Sequence, residues 1–480
     1  QQQQQQQQIQ YEQQSTGAYV APVLHGESDG EFKGKGELQA PQFRDKFFAI
    51  AFVLHLFFML GLAVVMGAPS GANEYNANGE VTAEEDYSGV LYLVFICGIF
   101  SIGVSGFSLG WMMRNSTTLV KTALIFSVGT SLAIGMLGLM FGNMLMGIMG
   151  LVSFGIGCCY AYYVWQRIPF AASNLNTALT AVRANSGLTI TAFGFLTLAL
   201  LWSLWWSVAA GGALANMGEG SLFLSFVSYF WTHQVLQNTL ICITSGVIGT
   251  WWFAPSEANS WFSQGLKDSS VRALTYSFGS ICFGSLIVAI VQALRQLNHY
   301  ARSQGEDGAI LVCVIDCILG CIENIIEYLN KWAYVYVGLY GYSYLEAGKN
   351  VLTLFRSKGW TAIITDDLVD NVLFMVSVGI GLLSGFVALT LAEIDQNLLA
   401  GVGYEGSGMA AFFIGFLVGL VISSVLLGVV GSAVNTVIVL FAEAPDEFQH
   451  NHTELSQEMR QSWAAAWPDE CRGMGDGVYA

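Results

Sequence analysis

From Phe47 onward the chain is a series of long apolar runs separated by short polar breaks. A run of about 20 apolar residues, wound as a helix, matches the hydrocarbon thickness of a bilayer. On that measure spans are predicted at about 47–66, 90–113, 119–141, 145–165, 188–210, 222–253, 274–294, 372–391 and 411–441. The run 222–253 exceeds what a bilayer needs, so it must tilt, kink or project. Two stretches are mixed. Residues 168–186 carry Asn174, Asn176 and Arg183 in a moderately apolar background, and 309–347 threads acids, amides and tyrosines through apolar sequence. One of the two supplies a tenth crossing, and the pattern alone leaves open which.

Charge sets the orientation. Arg44 and Lys46 stand before the first run, Arg114 and Lys121 flank the second break, and Arg167 closes the fourth run, whereas the break after Met66 holds five acids and no base. Cytoplasmic connections are rich in Lys and Arg, so the acidic break lies outside and both termini inside. The expected fold is all-α: a polytopic membrane helix bundle of about ten transmembrane helices with N and C termini cytoplasmic. Residues 1–46, which open with eight glutamines, are expected to be a disordered cytoplasmic tail. The transmembrane domain is then 47–441, with an amphipathic segment at 309–347, and 442–480 is a cytoplasmic C-terminal tail. A loop tag at Ser260 separates the two topologies, since that loop is outside only if 168–186 crosses.

Composition agrees. Hydrophobic residues make up 54 % of the 480 and charged residues 11 %, against roughly 25 % charged in soluble domains. A net charge of -16, with only 18 Lys and Arg, excludes nucleic acid as a partner. The nine cysteines lie mostly within apolar runs, and Cys313, Cys317 and Cys321 share one helix face without a histidine, which favours burial or an interfacial position over metal. The six histidines are scattered and no phosphate loop or His-Glu-x-x-His is present, so no cofactor is expected and the chain is read as no enzyme.

Polar residues inside apolar runs are costly, roughly 2.5–3.5 kcal/mol for a charge at mid-helix, so they mark candidate sites. In 309–347, Asp316, Glu323 and Glu327 recur at seven and eleven residues and share a face with Asn330, opposite Ile318, Ile322, Ile325, Ile326 and Leu329. That helix either lies in the interface or lines a cavity. In 222–253, Tyr229, Phe230, Trp231, His233, Gln234, Gln237 and Asn238 concentrate aromatic and amide groups, for cavity lining or interhelical bonding. A row of Tyr334, Tyr336, Tyr340, Tyr342 and Tyr344 fits an interfacial belt or, at Tyr336 and Tyr340, a second aromatic surface for a ligand. Glu323, Asp370 and Asn371 are candidates for gating or coupling, while Asp366 and Asp367 face the cytoplasm. His55 and Asn435, alone in their spans, read as structural.

The segment Cys321-Ile322-Glu323, Leu329-Asn330, Ala333-Tyr334 and Tyr340-Gly341 resembles the choline transporter-like family. Further matches are FRDKFFAIAF at 43–52, Trp165-Gln166-Arg167-Ile168-Pro169, FGSICFGSLI at 278–287 and His452-Thr453-Glu454-Leu455. The first outer loop is short, as in the fungal and algal branch. The resemblance implies a ten-span plasma-membrane protein, with internal membranes the alternative location, that moves choline or a related quaternary ammonium or amine alcohol. Its partners are that cation and membrane lipid, with no oligomeric state implied. A rival of another class is a non-transporting membrane protein that organises lipids or partner proteins. A lipid-headgroup enzyme ranks third for want of a convergent acid, base and metal set.

Overall fold

The computed structural model describes residues 36–66, 88–303, 309–360, 368–396, 398–399 and 408–468, with the side chains of 88 and 301–313 left aside. Asp366, Asp367, Cys471, most of the expected N-terminal tail and the acidic outer break fall outside that set, as does the Cys313 side chain. Every regular element among the described residues is helical. In chain order they are α1 (Lys46–Met66), α2 (Ser88–Arg114), α3 (Ser116–Met140), α4 (Met144–Val164), α5 (Ile168–Ala184), α6 (Gly187–Met217), α7 (Leu222–Phe253), α8 (Gln264–Leu274), α9 (Phe278–Ser303), α10 (Ala309–Tyr340), α11 (Tyr344–Lys358), α12 (Leu368–Ile394), α13 (Gly408–Glu443), α14 (Pro445–Asn451) and α15 (Thr453–Ala466).

With no water in the hydrocarbon layer, a crossing segment must satisfy its backbone internally, and the helix is the local way to do it. Among the described residues eight segments are long and apolar enough to cross: α1, α2, α3, α4 continued into α5, α6, α9, α12 and α13. The chain is a multi-pass membrane helix bundle. α7 and α10 have 32 residues each, about 48 Å at 1.5 Å per residue, and the polar residues of α7 keep that helix out of the set.

The chain divides into two compact units. The first comprises 1–82, 185–357 and 442–444. There α7 is the central helix, packed against α6, α8, α9 and α10, while α1 lies on α6 and α9. α7 and α10 cross closely at Gly338, where a Cβ would stand 2.9 Å from Cys242 Cα and 3.0 Å from Ser245 Cβ. α8 is short and amphipathic, capped by Ser263, whose hydroxyl accepts from the Leu266 N–H at 3.2 Å. Residues 36–45 follow the end of this unit in extended form and are held by backbone bonds, Gln39 N–H to Tyr340 O at 2.8 Å and Arg44 N–H to Tyr276 O at 3.0 Å.

The second unit comprises 83–184, 358–441 and 445–480. α3 and α4 form a tight antiparallel pair joined through Gly142, whose φ of 75° a side chain would strain. Gly135 and Gly138 on α3 meet Gly147 and Gly150 on α4 with no room for a Cβ, the close backbone approach that small residues permit in lipid. The connection is capped by Asn143, which accepts from the Met146 N–H at 3.1 Å. α5, the mixed stretch of the sequence, is buried along nearly its whole length. Its Asn174 accepts from the Trp463 Nε1–H of α15 at 2.8 Å, so this amide within a mixed stretch is satisfied by the C-terminal segment. α12 and α13 press together through Gly381, Gly385, Gly415 and Gly419.

Candidate functional site

The polar residues of interest lie on α7, α9 and α10, all in the first unit. A helix turns about 100° per residue, so the cluster Tyr229 to Asn238 cannot face one way. It divides into three directions. Toward α6, Tyr229 sits 4.8 Å from the Trp206 ring and 4.4 Å from that of His233, and His233 Nε2 is 3.0 Å from Ser203 Oγ. Phe230, half-buried, packs edge-on against Tyr229 at 5.4 Å.

Toward α1 and α9, Trp231 is buried. Its Nε1–H donates to Cys282 O at 3.0 Å, and its ring lies 5.1 Å from both Phe52 and His55. His55 is hydrogen-bonded to Ser228 at 2.8 Å and meets Trp202 at 5.9 Å. His55, which reads as a lone structural residue in sequence, is thus one wall of an aromatic group drawn from α1, α6 and α7.

The third direction carries a polar string. Asn238 Nδ2–H donates to Ser285 Oγ at 3.0 Å, and Ser285 meets Tyr334 OH at 3.4 Å. Tyr334 donates to Ile281 O at 3.1 Å. From Asn238 the string continues through Gln234 to Gln292 Oε1 at 3.3 Å, and Gln292 donates to Glu327 Oε1 at 3.4 Å. Gln237 is exposed, off this string.

Beyond Glu327 the acid stripe of α10 faces α9. Arg295 donates from Nε to Asp316 and from Nη1 to Glu323, each at 2.9 Å, and His299 Nε2 is 3.3 Å from Asp316. Gln292, Arg295 and His299 recur at three and four residues, so they share one face of α9 and run antiparallel to Glu327, Glu323 and Asp316. Gly320 lies under the guanidinium, its Cβ position 3.8 Å from Arg295 Cζ. Sequence reasoning missed Arg295 and His299 because it ended the span near Leu294, and it passed over Gln292 inside that span. Their spacing was the available signal. Cys317 and Cys321, on the same helix, are exposed.

Tyr336 and Tyr340 are not brought to the α7 string. Both are buried and both donate to the Glu443 carboxylate, which also accepts from the Gly36 N–H at 2.9 Å. Tyr334, not these two, is the tyrosine that meets Asn238's partner. The row is therefore mostly interior. Tyr344, on α11, donates to the Asn330 side chain, and burial pushes its phenol up to about 12. Ser343 holds the Glu346 carboxyl below its usual value. Asp370 and Asn371 belong to the second unit, in the first turn of α12, the former exposed and the latter half-buried. Among the described residues no group of three His, Cys, Asp or Glu is placed to hold a metal ion.

Chemically, the α7, α9 and α10 surfaces offer carboxylates, amide oxygens and hydroxyls beside aromatic rings. Carboxylates and aromatic faces attract a positive charge, and amide oxygens and hydroxyls bond a hydroxyl group. A family model described as plasma-membrane choline transporter matches residues 148–446. Among similar curated proteins is Protein PNS1 of Mycosarcoma maydis, 27 % identical over 90 % of this chain and 85 % of its own. Protein PNS1 of Gibberella zeae is 28 % identical over 92 % and 86 %, and a CTL-like protein of Dictyostelium discoideum 26 % over 88 % and 76 %.

Proposed function

The chain belongs to the plasma-membrane choline transporter family and is a multi-pass membrane transporter, and from that premise we propose that it carries choline or a related amine alcohol across the plasma membrane. One observation supports a cationic substrate above others. Along the α9–α10 seam stand three carboxylates, Asp316, Glu323 and Glu327, of which Arg295 pairs with the first two and Gln292 with the third. Glu327 stands 18 residues into a 32-residue helix, about 27 Å from its start, where an exposed carboxylate needs water and a counter-cation. An ammonium group fills that need.

In this reading the cation meets Glu327 first and the amides Gln292, Gln234 and Asn238 next. The hydroxyl of the substrate bonds to an amide, and Trp231, with His55, Phe52 and Trp202 behind it, presents the aromatic surface. Tyr229, Phe230, His233 and Gln237 shape the α7 surroundings. Tyr336 and Tyr340 belong to the inner closure rather than to first contact, with Glu323, Asp370 and Asn371 assigned to gating. The inside-negative potential drives entry by about 2.3 kcal/mol per charge per 100 mV, so a uniporter suffices for accumulation.

The topology proposed has ten crossings and both termini cytoplasmic. α10, about 48 Å long, crosses, and α5, 17 residues and about 25 Å, lies in the plane. This places Lys267 and Arg272 in the cytoplasm with the other basic connections.

The test is uptake of labelled choline into proteoliposomes, with empty liposomes and a Trp231→Ala, Gln234→Ala variant beside the wild type. Saturable uptake that the folded variant loses supports the reading. Uptake no better than empty liposomes, under imposed potential and pH gradients, overturns it.

A further inference from the structure

We propose that Arg295 is a specificity-determining residue: a resident cation that limits the seam to substrates bearing one positive charge. The inference rests on the organic-cation reading above. Three carboxylates recur on α10 at 316, 323 and 327, and Arg295 occupies two of them, reaching Asp316 through Nε and Glu323 through Nη1 at 2.9 Å each. The two contacts come from different edges of one planar group, so the guanidinium lies across two turns of α10, over the bare backbone of Gly320. Glu327 is left with a neutral amide, Gln292 Nε2 at 3.4 Å, as its partner on α9.

The consequence is a matter of spacing. Glu323 and Glu327 are four residues apart, about 6 Å along the axis, and lie on one face. With Arg295 on Glu323, only Glu327 is open to an incoming ammonium. Without Arg295 both are open, and their separation matches the two ends of an extended four-carbon diamine. Arg295 thus performs, in place, the role that the second charge of a dication would otherwise take.

The experiment compares 1-aminobutane with 1,4-diaminobutane as inhibitors of choline uptake, and as stabilisers of the purified protein against heat. In the wild type the two amines are expected to act within about threefold of one another. In Arg295→Gln the diamine should gain at least tenfold over the monoamine, and Arg295→Lys, which keeps one charge, should return to the wild-type ranking. A diamine already tenfold better in the wild type overturns the proposal, whatever the variants do. So does a folded Arg295→Gln protein that keeps the wild-type ratio. Amines that stabilise in the expected ranking while choline is neither bound nor transported remove choline as the substrate and leave the role of Arg295 standing.

Discussion

The backbone N–H of Gly36 reaches the Glu443 carboxylate at 2.9 Å across 407 positions of sequence. Tyr336 and Tyr340 complete that carboxylate's set of donors, and Trp252 Nε1–H donates to the next carbonyl, that of Ala444, at 3.0 Å. The extended segment 36–45 is fixed at its far end by Asp45, whose φ of 47° is unusual for a side-chain-bearing residue. The Asp45 carboxylate accepts from Ser280 at 2.6 Å and from the Tyr344 N–H at 3.3 Å.

Removing the Glu443 acceptor strands two buried phenols. Hydrogen bonds to charged groups are worth about 1.5–3 kcal/mol each, and orphaned donors add to the loss. Glu443→Ala is expected to lower the unfolding free energy by about 3–5 kcal/mol and Glu443→Gln by less, read as thermal unfolding in detergent. Equal stability of all three proteins would show that the carboxylate is not what holds these groups.

At the α7–α10 crossing, Gly338 has no space for a methyl group, because Cys242 and Ser245 stand within 3.0 Å of where it would be. Gly338→Ala is expected to destabilise by about 1–3 kcal/mol, the usual cost of overpacking. The same change at Gly211 on α6, where a Cβ would meet nothing within 4 Å, serves as the control and should be close to neutral.

The Tyr344 phenol, raised by burial to about 12 from the usual 10, keeps its proton longer in the folded protein than in the unfolded chain. Its contribution to stability is therefore full below pH 10 and lost as pH rises through 12, by up to about 3 kcal/mol. A pH series of melting temperatures should show that fall in the wild type and a shallower one in Tyr344→Phe. The variant should also be less stable at pH 8 by about 1–2 kcal/mol, since the buried Asn330 loses its donor.

The proposed topology puts the connection between α7 and α8 on the cytoplasmic side. A cysteine at Ser260 should react with a membrane-impermeant thiol reagent only in inside-out vesicles or after permeabilisation. Labelling from the outside of intact cells would instead require α5 to cross.

The long helices were legible because a span is a local property: about 20 apolar residues cannot be placed otherwise. α5 was not legible as a buried helix. Its Asn174 is satisfied by Trp463 and its Asn176 by Glu458, whose places against α5 no local pattern reveals. The acid stripe on α10 was read correctly as one face, but its partner was not. Spacing within a helix shows which residues share a side, and says nothing of which helix lies opposite, so Arg295 passed as the edge of a span. The tyrosine row illustrates the same limit. Tyr336 and Tyr340 have the composition of a membrane-edge belt, and what buries them is a carboxylate more than 100 residues away. In α7 the polar residues were found and their division into separate directions was not, since their partners, Ser203 on α6 and Ser285 and Cys282 O on α9, lie on other helices.

The glycine-to-glycine contact of α3 and α4 bears on how the protein is made. The two helices are joined by a capped three-residue connection, Phe141 to Asn143, and their closest approach lies between residues 131 and 150. Such a pair draws its packing from itself, and chains are threaded into membranes from the N-terminus. It can therefore assemble as one hairpin ahead of the later helices of its unit, giving them a finished surface on which to dock.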